Sequence, residues 1–410
     1  MTVVVEGASV GSRAALGGRR IPPLWLLALL TFSGTMAMHI FAPALASASR
    51  EFGVGQAAIQ ATISVYVAGL AVGQLIYGPL SDRFGRRPIV LLGLAIYTIG
   101  GATAVFAPTV GWLIAARCLQ ALGGGAGLSL ARAMVRDTSV REDATRRLAL
   151  LNVMVTVGPG LAPILGEALT ATLGWHSILW LLCGLGATLA VMAWRILPET
   201  APAAAHVDIR QLARSYAGLL RSPVFVGFAL GGGCATTSMY AFVSASPFIV
   251  EEMHRPSYEV GAYLAMLIAG VSVGNALASR LITRVSAGRL MVVGSALSLA
   301  AAGVMLAAAL TGHLTIALVP APIFFYTIGV GLAGPMALSE AISADPKVIG
   351  SAAGLYGFTQ MAVGALCSAL TGLLASATLN TALVLVGGEL IAQVAFWVAL
   401  TAARRKRAVD

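Results

Sequence analysis

Apolar runs long enough to cross a membrane follow one another through almost the whole chain. A transmembrane helix needs about 20 consecutive, mostly apolar residues, and the 410-residue sequence supplies such runs with few charged interruptions. Only 10% of the residues are charged and the mean hydropathy is +0.88, which is too apolar for a soluble protein of this length. The sequence therefore predicts an all-α membrane protein.

Charged and turn-forming residues divide these runs into twelve predicted transmembrane helices, numbered 1–12 along the chain. They cover residues 22–46, 57–80, 88–107, 111–134, 147–171, 175–197, 224–249, 259–282, 289–310, 313–339, 348–374 and 379–402. The longest charged interruption is residues 199–223, where the segment from Asp208 predicts a short amphipathic helix with Asp208 as its N-cap. This linker separates two predicted six-helix bundles. In full, the predicted units are a tail at 1–21, a bundle at 22–198, the linker at 199–223, a bundle at 224–403 and a basic tail at 404–410.

Basic residues recur after every second apolar run. Arg83, Arg86 and Arg87 lie between predicted helices 2 and 3, whereas the opposite side of the bundle carries only Arg50 and Arg255. Because cytoplasmic loops of membrane proteins are enriched in Lys and Arg, this pattern places both termini in the cytoplasm. The net charge of +10 therefore reflects orientation in a lipid bilayer. It does not indicate nucleic-acid binding, because the basic residues are not gathered on one domain.

The two halves carry a faint internal repeat. Residues 73–93 align without gaps to residues 274–294, an offset of 201 residues. Four pairs of identical residues lie around the turns after helices 2 and 8: Gly73/Gly274, Leu80/Leu281, Arg83/Arg284 and Gly93/Gly294. Six-helix halves repeated in parallel are typical of transporters that open a central site to each side of the membrane in turn.

The stretch GPLSDRFGRRP, residues 78–88, concentrates charge between two apolar runs. Gly78 is predicted to let helices 2 and 11 approach closely, and Gly85 to allow a tight turn. Asp82 needs a positive partner, for which Arg86, an arginine of helix 4 such as Arg136, or a helix N-terminus of the other half is available. We expect this cluster to latch the halves together on the cytoplasmic side. The predicted gate residues are Gly78, Asp82, Arg83, Gly85, Arg86, Arg87 and Arg136.

The pattern G-x-L-x-D-R-x-G-R-R in this stretch resembles the helix 2–3 motif of the major facilitator superfamily. Residues 117–137, 158–169 and 242–252 resemble segments of its bicyclomycin and chloramphenicol (Bcr/CflA) drug:proton antiporters. The resemblance implies a multi-pass protein of the bacterial inner membrane that exports small, mostly apolar drugs. Because twelve helices form a complete unit, a monomer is expected. It implies energy from the proton gradient and no cofactor. Its helix-5 exporter motif corresponds here to Pro159, Pro163 and Gly166. A dedicated proton-coupled exporter or importer of one metabolite in the same fold is the alternative.

Three residues inside predicted spans are candidates for proton coupling. His39 stands where the resembling family usually carries an acidic residue before a proline, here Pro43. Histidine titrates near neutral pH, so it can keep the coupling role while making the site more positive; a structural or a substrate-contacting histidine are the alternatives. Arg117 in helix 4 occupies a position that the resemblance ties to proton transfer; the alternative is a structural arginine that only hydrogen-bonds backbone carbonyls and Gln120. Glu167 replaces a glycine of the helix-5 motif. If it faces the cavity it can supply the carboxylate that helix 1 lacks, and if it lies near the periplasmic end it is simply solvated.

The substrate cavity is predicted to lie between the inner helices of the two bundles. Its candidate lining residues are Met36, Phe41, Tyr66, Gln120, Asn152, Tyr240, Phe242 and Tyr326, because methionine and aromatic side chains adapt to varied apolar ligands. Glu389 is expected to be peripheral, in the outer helix 12. No enzymatic activity and no metal site are expected, because the histidines are scattered and show no ligand spacing with other residues.

Overall fold

The chain is helical throughout the part that the structure, a computed structural model, describes. Described are residues 21–139, 141–201, 209–312, 319–345, 348–373 and 376–409. The side chains of residues 152–159 lie outside the described residues, and with them those of the predicted site residues Asn152 and Pro159.

Twelve long helical segments and one linker helix follow in chain order. They are α1 (Leu24–Phe52), α2 (Gln56–Phe84), α3 (Arg86–Val105), α4 (Val110–Thr138), α5 (Arg141–Leu173), α6 (His176–Ile196), the linker helix (Ile209–Arg221), α7 (Pro223–Glu252), α8 (Glu259–Leu281), α9 (Ala287–Leu310), α10 (Pro320–Ser343), α11 (Ile349–Leu370) and α12 (Ala377–Val409). Among the described residues, eleven of these segments are long and apolar enough to span a membrane, and α5 contains a shorter apolar helix, Gly160–Leu173. The predicted all-helical membrane fold is confirmed.

Two of these segments, α1 and α7, are interrupted near their middle. In α1 the first helix ends at His39, a 3-10 turn covers Ala42–Ala44, and helix resumes at Leu45. Pro43 lies in that turn, where its missing N–H does not interrupt an α-helical hydrogen bond. In α7 the first helix ends at Thr237 and the second begins at Tyr240. The breaks bring His39 and Tyr240 to the points where their helices change direction.

The packing of helices repeats between the two halves. In the first half α2 and α3 pack on α4, and α3 packs on α6; in the second half α8 and α9 pack on α10, and α9 packs on α12. The halves meet where α2 packs on α11, where α5 packs on α8, and where α1 contacts α7. Each contact thus has a counterpart six helices later, as expected of a parallel repeat.

The two ends of the bundle differ in charge. We call the end that carries Arg83, Arg86 and Arg87, between α2 and α3, the basic face. The opposite end, which carries Arg50 at the end of α1 and Glu251 at the end of α7, is called the far face.

Gly78 is not the point at which α2 and α11 approach closely. A side chain there would meet nothing within 4 Å, so the reason predicted for this glycine is wrong. About one turn nearer the far face, a Cβ added to Gly357 of α11 would meet the side chain of Gln74 in α2. The helices are thus in side-chain contact there, with open space beside Gly78.

Candidate functional site

His39 is a buried imidazole at the break in α1, with 4% of its surface exposed. Its Nδ1 lies 2.9 Å from the carbonyl oxygen of Thr35. Because a carbonyl only accepts hydrogen bonds, Nδ1 must carry a proton, and in the neutral ring Nε2 is therefore the acceptor. Nε2 is buried and has no hydrogen-bond partner among the described residues. The imidazole therefore presents a free basic nitrogen inside the bundle.

Arg117 is the second buried polar group of this region, and none of its surface is exposed. Its Nη1 donates to Oε1 of Gln120 at 2.6 Å, and its Nη2 donates to the carbonyl oxygen of Ala37 at 2.6 Å. The guanidinium carbon lies 4.2 Å from the ring centroid of Tyr66 and 5.1 Å from that of Phe41. In the described part of the chain no carboxylate forms an ion pair with it. Neutral carbonyl oxygens and aromatic faces hold this cation.

Aromatic side chains from both halves close around His39 and Arg117. Tyr66 of α2 donates a hydrogen bond to the carbonyl oxygen of Gly34 in α1 at 2.9 Å. Tyr240 of α7 meets the His39 ring edge-on, with centroids 6.0 Å apart. The predicted lining residues Met36, Phe41, Tyr66, Tyr240, Phe242 and Tyr326 all belong to one buried apolar cluster. The structure thus brings most of the predicted cavity residues together, as a packed core that links the halves.

Hydrogen bonds join the halves toward the far face. Gln60 of α2 donates to the carbonyl oxygen of Ser244 in α7 at 3.1 Å and accepts from the Thr371 hydroxyl at the end of α11 at 3.2 Å. One turn further along α2, Ser64 donates to Ser368 of α11 at 3.0 Å. These contacts hold α2 against α7 and α11 and close the bundle on this side.

An exposed ion pair also crosses between the halves at the far face. Nη1 of Arg50, at the end of α1, lies 3.5 Å from Oε1 of Glu251, at the end of α7. Both side chains are more than half exposed, so the pair contributes less than about 1 kcal/mol to stability. Its importance is positional, because it can form only while these two helix ends stay together.

Glu167 lines a cavity of about 350 Å³ at the far face, between α1, α5, α7 and α8. The residue is 9% exposed. Arg50 and Arg255 line the same cavity, but each pairs with another carboxylate, Glu251 and Glu259 respectively. Among the described residues none forms a hydrogen bond or ion pair with the Glu167 carboxylate. It is therefore a buried acid that faces a polar cavity without a partner of its own.

The helix-5 motif fixes how closely α5 approaches α1. A Cβ added to Gly166 would lie 2.1 Å from the carbonyl oxygen of Ile40, at the break in α1. Any side chain there would push the two helices apart. Pro163 is buried, and its carbonyl oxygen lies 3.6 Å from a Cβ built on Gly261 of α8. The motif thus places Glu167 next to both α1 and the other half.

The charge cluster at the basic face lies within the first half. Arg86 pairs with Asp82, and its Nε donates to Oδ2 of Asp137 at the end of α4 at 2.9 Å. Of the partners predicted for Asp82, Arg86 is thus present. Arg136 is exposed, and its neighbour Asp137 contacts Arg86. The latch between the halves that we predicted for this cluster does not form among the described residues in this conformation.

Glu199, which the sequence analysis missed, caps the N-terminus of α3. Its Oε1 accepts from the backbone N–H of Arg86 at 2.8 Å and of Thr200 and Ala201 at 2.9 Å, and its Oε2 accepts from that of Arg87 at 3.1 Å. Partial burial opposes ionisation of this carboxyl, but the four N–H donors outweigh it and lower the pKa of Glu199 below its ordinary value of 4.5. The cap sits on Gly85, whose φ of 96° forms the predicted tight turn. The sequence feature that could have indicated this cap is an acid two residues after the end of predicted helix 6.

Residues 27–369 match the family described as the Major Facilitator Superfamily. The chain belongs to this superfamily. This superfamily member is 32% identical over 364 residues to Multidrug resistance protein D of Escherichia coli, covering 87% of this chain and 90% of that protein. It is 25% identical over 368 residues to a bicyclomycin resistance protein homologue of Haemophilus influenzae, and the match covers 87% of this chain and 89% of that protein. The resemblance to the bicyclomycin and chloramphenicol branch is confirmed by these relatives.

Solved structures of the superfamily share the fold. The chain superposes with a TM-score of 0.72 on a bacterial homologue of the human lysosomal transporter Spinster, crystallised in an inward-facing, unoccupied conformation. The sequences are 15% identical, and the match covers 96% of this chain and 97% of that one. The superposition shows that the two chains share one fold over nearly their whole lengths.

Proposed function

We propose that this transporter exports small, mostly apolar, drug-like compounds across the bacterial inner membrane in exchange for protons. The export part is supported by relatives of nearly full length that are named for multidrug and bicyclomycin resistance. The proton part is carried by one observation, the unpartnered Nε2 of buried His39 close to Arg117, which forms no ion pair with a carboxylate in the described part of the chain. No cofactor is needed, because the proton gradient supplies the energy.

His39 and Arg117 act together in this proposal. Arg117 donates to the carbonyl of Ala37, on the last turn of α1 before His39. A second positive charge on His39 raises the electrostatic energy of the region, because like charges repel more strongly inside a protein than in water. Protonation of His39 therefore favours a conformation in which α1 and α4 are rearranged. The bound proton thereby drives the conformational change.

Glu167 is the second proton carrier in this proposal. With the basic face in the cytoplasm, as the distribution of arginines indicates, the far face is periplasmic. The hydrogen bonds that join the halves then close the periplasmic side, and the cavity at Glu167 is the point where protons enter from the periplasm.

The test uses inside-out membrane vesicles, acidified by respiration and loaded with a pH-sensitive dye. A panel of cationic, neutral and anionic drugs is added to vesicles that carry wild type, His39→Ala, Glu167→Gln or His176→Ala. His176 is a partly exposed histidine at the start of α6, outside the proposed proton path, and its variant is the matched control. We expect several drugs to release luminal protons in wild type and in the control, and none in His39→Ala.

Each other outcome has a definite meaning. Full exchange in His39→Ala, with loss in Glu167→Gln, would assign the proton to Glu167 alone. Proton release by a single metabolite and by no drug would replace multidrug export with a dedicated carrier. No proton release by any compound in wild type would refute the proposal.

A further inference from the structure

Glu389 is a fully buried acid in the second half, far from His39 along the chain. Its exposed fraction is 0%, so the expectation that it is peripheral is wrong. It lies 12 residues after the start of α12 at Ala377, about 18 Å along the helix, which is near the middle of a hydrocarbon core about 30 Å thick. The outer helix carries this side chain on its inner face.

The carboxyl of Glu389 is only partly satisfied. Ser295 of α9 donates to its Oε2 at 2.6 Å. The hydroxyl of Tyr326 in α10 approaches the same carboxyl, yet neither that hydroxyl nor Oε1 completes a hydrogen bond of ordinary geometry with a described residue. A buried polar group left without a partner is rare in folded proteins and calls for a functional or structural explanation.

The groups that face the carboxyl are all neutral in their ordinary states. They are Cys234 on α7, Ser295 on α9, Tyr326 on α10 and Cys367 on α11. Within the described ranges no arginine, lysine or histidine forms an ion pair with Glu389. A charged carboxylate inside the membrane is costly without such a partner, so this arrangement suits the protonated acid, whose O–H can donate to Tyr326.

Tyr326 connects this carboxyl to the candidate site. Its ring packs in the buried cluster that also contains Tyr240, Phe242 and Met36. Its own carbonyl oxygen accepts a hydrogen bond from Ser298 of α9 at 2.8 Å. A shift of α10 that accompanies substrate binding would therefore change the distance between the Tyr326 hydroxyl and the Glu389 carboxyl.

We propose that Glu389 is a further proton-binding site, placed in the second half of the transporter, which exchanges its proton through the Tyr326 hydroxyl when substrate moves α10. The inference rests on the proposed proton exchange. It adds Glu389 with Tyr326 in the second half to the carriers proposed for the first half, His39 and Glu167. A permanently protonated acid that only ties α12 to α9 is the competing explanation.

Infrared difference spectroscopy tests the proposal directly, because the carbonyl stretch of a protonated carboxyl is resolved from the amide bands. Purified full-length protein in lipid is compared with and without a drug that releases protons in the vesicle assay. We expect wild type to show a drug-induced change in a carboxylic acid band. The band should be absent in Glu389→Gln and shifted in Tyr326→Phe, which keeps the carboxyl but removes the neighbouring hydroxyl. Glu340→Gln, near the basic-face end of α10, is the matched control and should retain it.

The pH profile of transport gives a second readout. One titrating proton changes a transport rate by up to about tenfold per pH unit. Glu389→Gln should therefore reduce the change of transport rate per pH unit by up to that factor, whereas Glu340→Gln should leave it unchanged. Identical profiles in wild type and Glu389→Gln, or a carboxylic acid band that does not respond to the drug, would overturn the proposal. If wild type releases no protons in vesicles at all, the proposed function fails first, and the two failures are thereby distinguished. If Glu389→Gln does not fold, the infrared shift in Tyr326→Phe decides.

Discussion

Replacing His39 with aspartate should convert the transporter to a preference for cations. A neutral histidine has no charge when substrate binds, whereas an ionised aspartate has one negative charge. The rings of Tyr240 and His39 lie 6.0 Å apart, and we assume the same distance between residue 39 and a compound bound between α1 and α7. At that distance and an effective dielectric constant of 20, one unit charge attracts a monovalent cation by about 2.8 kcal/mol, or about 100-fold in affinity.

Arg117 reduces this expected gain. It lacks a carboxylate partner among the described residues and contacts the backbone two residues before His39, so an aspartate at position 39 would share its charge with the guanidinium. We therefore expect His39→Asp to raise the ratio of cation to neutral transport between about 10-fold and 100-fold. A neutral substrate should gain nothing, because it has no charge for the carboxylate to attract.

The assay compares a quaternary ammonium compound with its uncharged carbon isostere in inside-out vesicles. His39→Asn is the matched control, because asparagine has the shape of aspartate without the charge. The ratio of the two transport rates is measured in both variants at equal expression. If His39→Asp and His39→Asn give the same ratio, the charge at position 39 does not act on the substrate, and the placement of the site beside His39 is refuted.

Three further predictions concern packing, the basic face and the far face. Gly166→Ala should destabilise the protein by about 1–3 kcal/mol and slow transport, as measured by thermal unfolding and drug efflux, whereas Gly184→Ala, with nothing within 4 Å, should behave as wild type. Glu199→Gln should lower the free energy of unfolding by about 2 kcal/mol at neutral pH. Because the pKa of Glu199 is lowered in the folded state, this stabilisation is present above pH 4.5 and is lost as the pH falls through the folded value, so the two melting curves should converge in acid. Cysteines at Arg50 and Glu251, joined by a short reducible cross-linker, should stop transport until the linker is reduced; continued transport would mean that these helix ends do not separate.

The spans could be predicted because they depend on local composition, and each apolar run marks a helix. Their pairing does not follow from chain order, because α2 packs on α4 and α3 packs on α6. The breaks in α1 and α7 were not predicted. Pro43 gives a signal for the first break, but Ser238 and Met239 are ordinary helix-compatible residues, and the second break depends on packing against α11 and α12.

The polar residues of the candidate site could be predicted, but their hydrogen-bond partners could not. His39, Arg117, Gln120 and Tyr66 are unusual enough in apolar runs to be recognised, since polar side chains inside a membrane require a reason. Their hydrogen-bond acceptors are backbone carbonyls, which every residue has, so the sequence does not indicate which one is used. Glu389 was misplaced for a related reason, because a single acid on a long apolar helix does not show which face of that helix is buried.

Arg50 and Glu251, which form an ion pair, are 201 residues apart, the same offset as the repeat at residues 73–93 and 274–294, and each lies near the end of the first long segment of its half. In a complex of two identical subunits, contacts on a twofold axis join each residue to its own copy. Two unfused, identical halves would therefore bring two arginines or two glutamates together here, and like charges repel. Duplication followed by fusion into one chain allows the two copies to diverge, so that opposite charges meet. The attraction between Arg50 and Glu251 is thus available only to an asymmetric, single-chain transporter. Exchanging the two residues should preserve it.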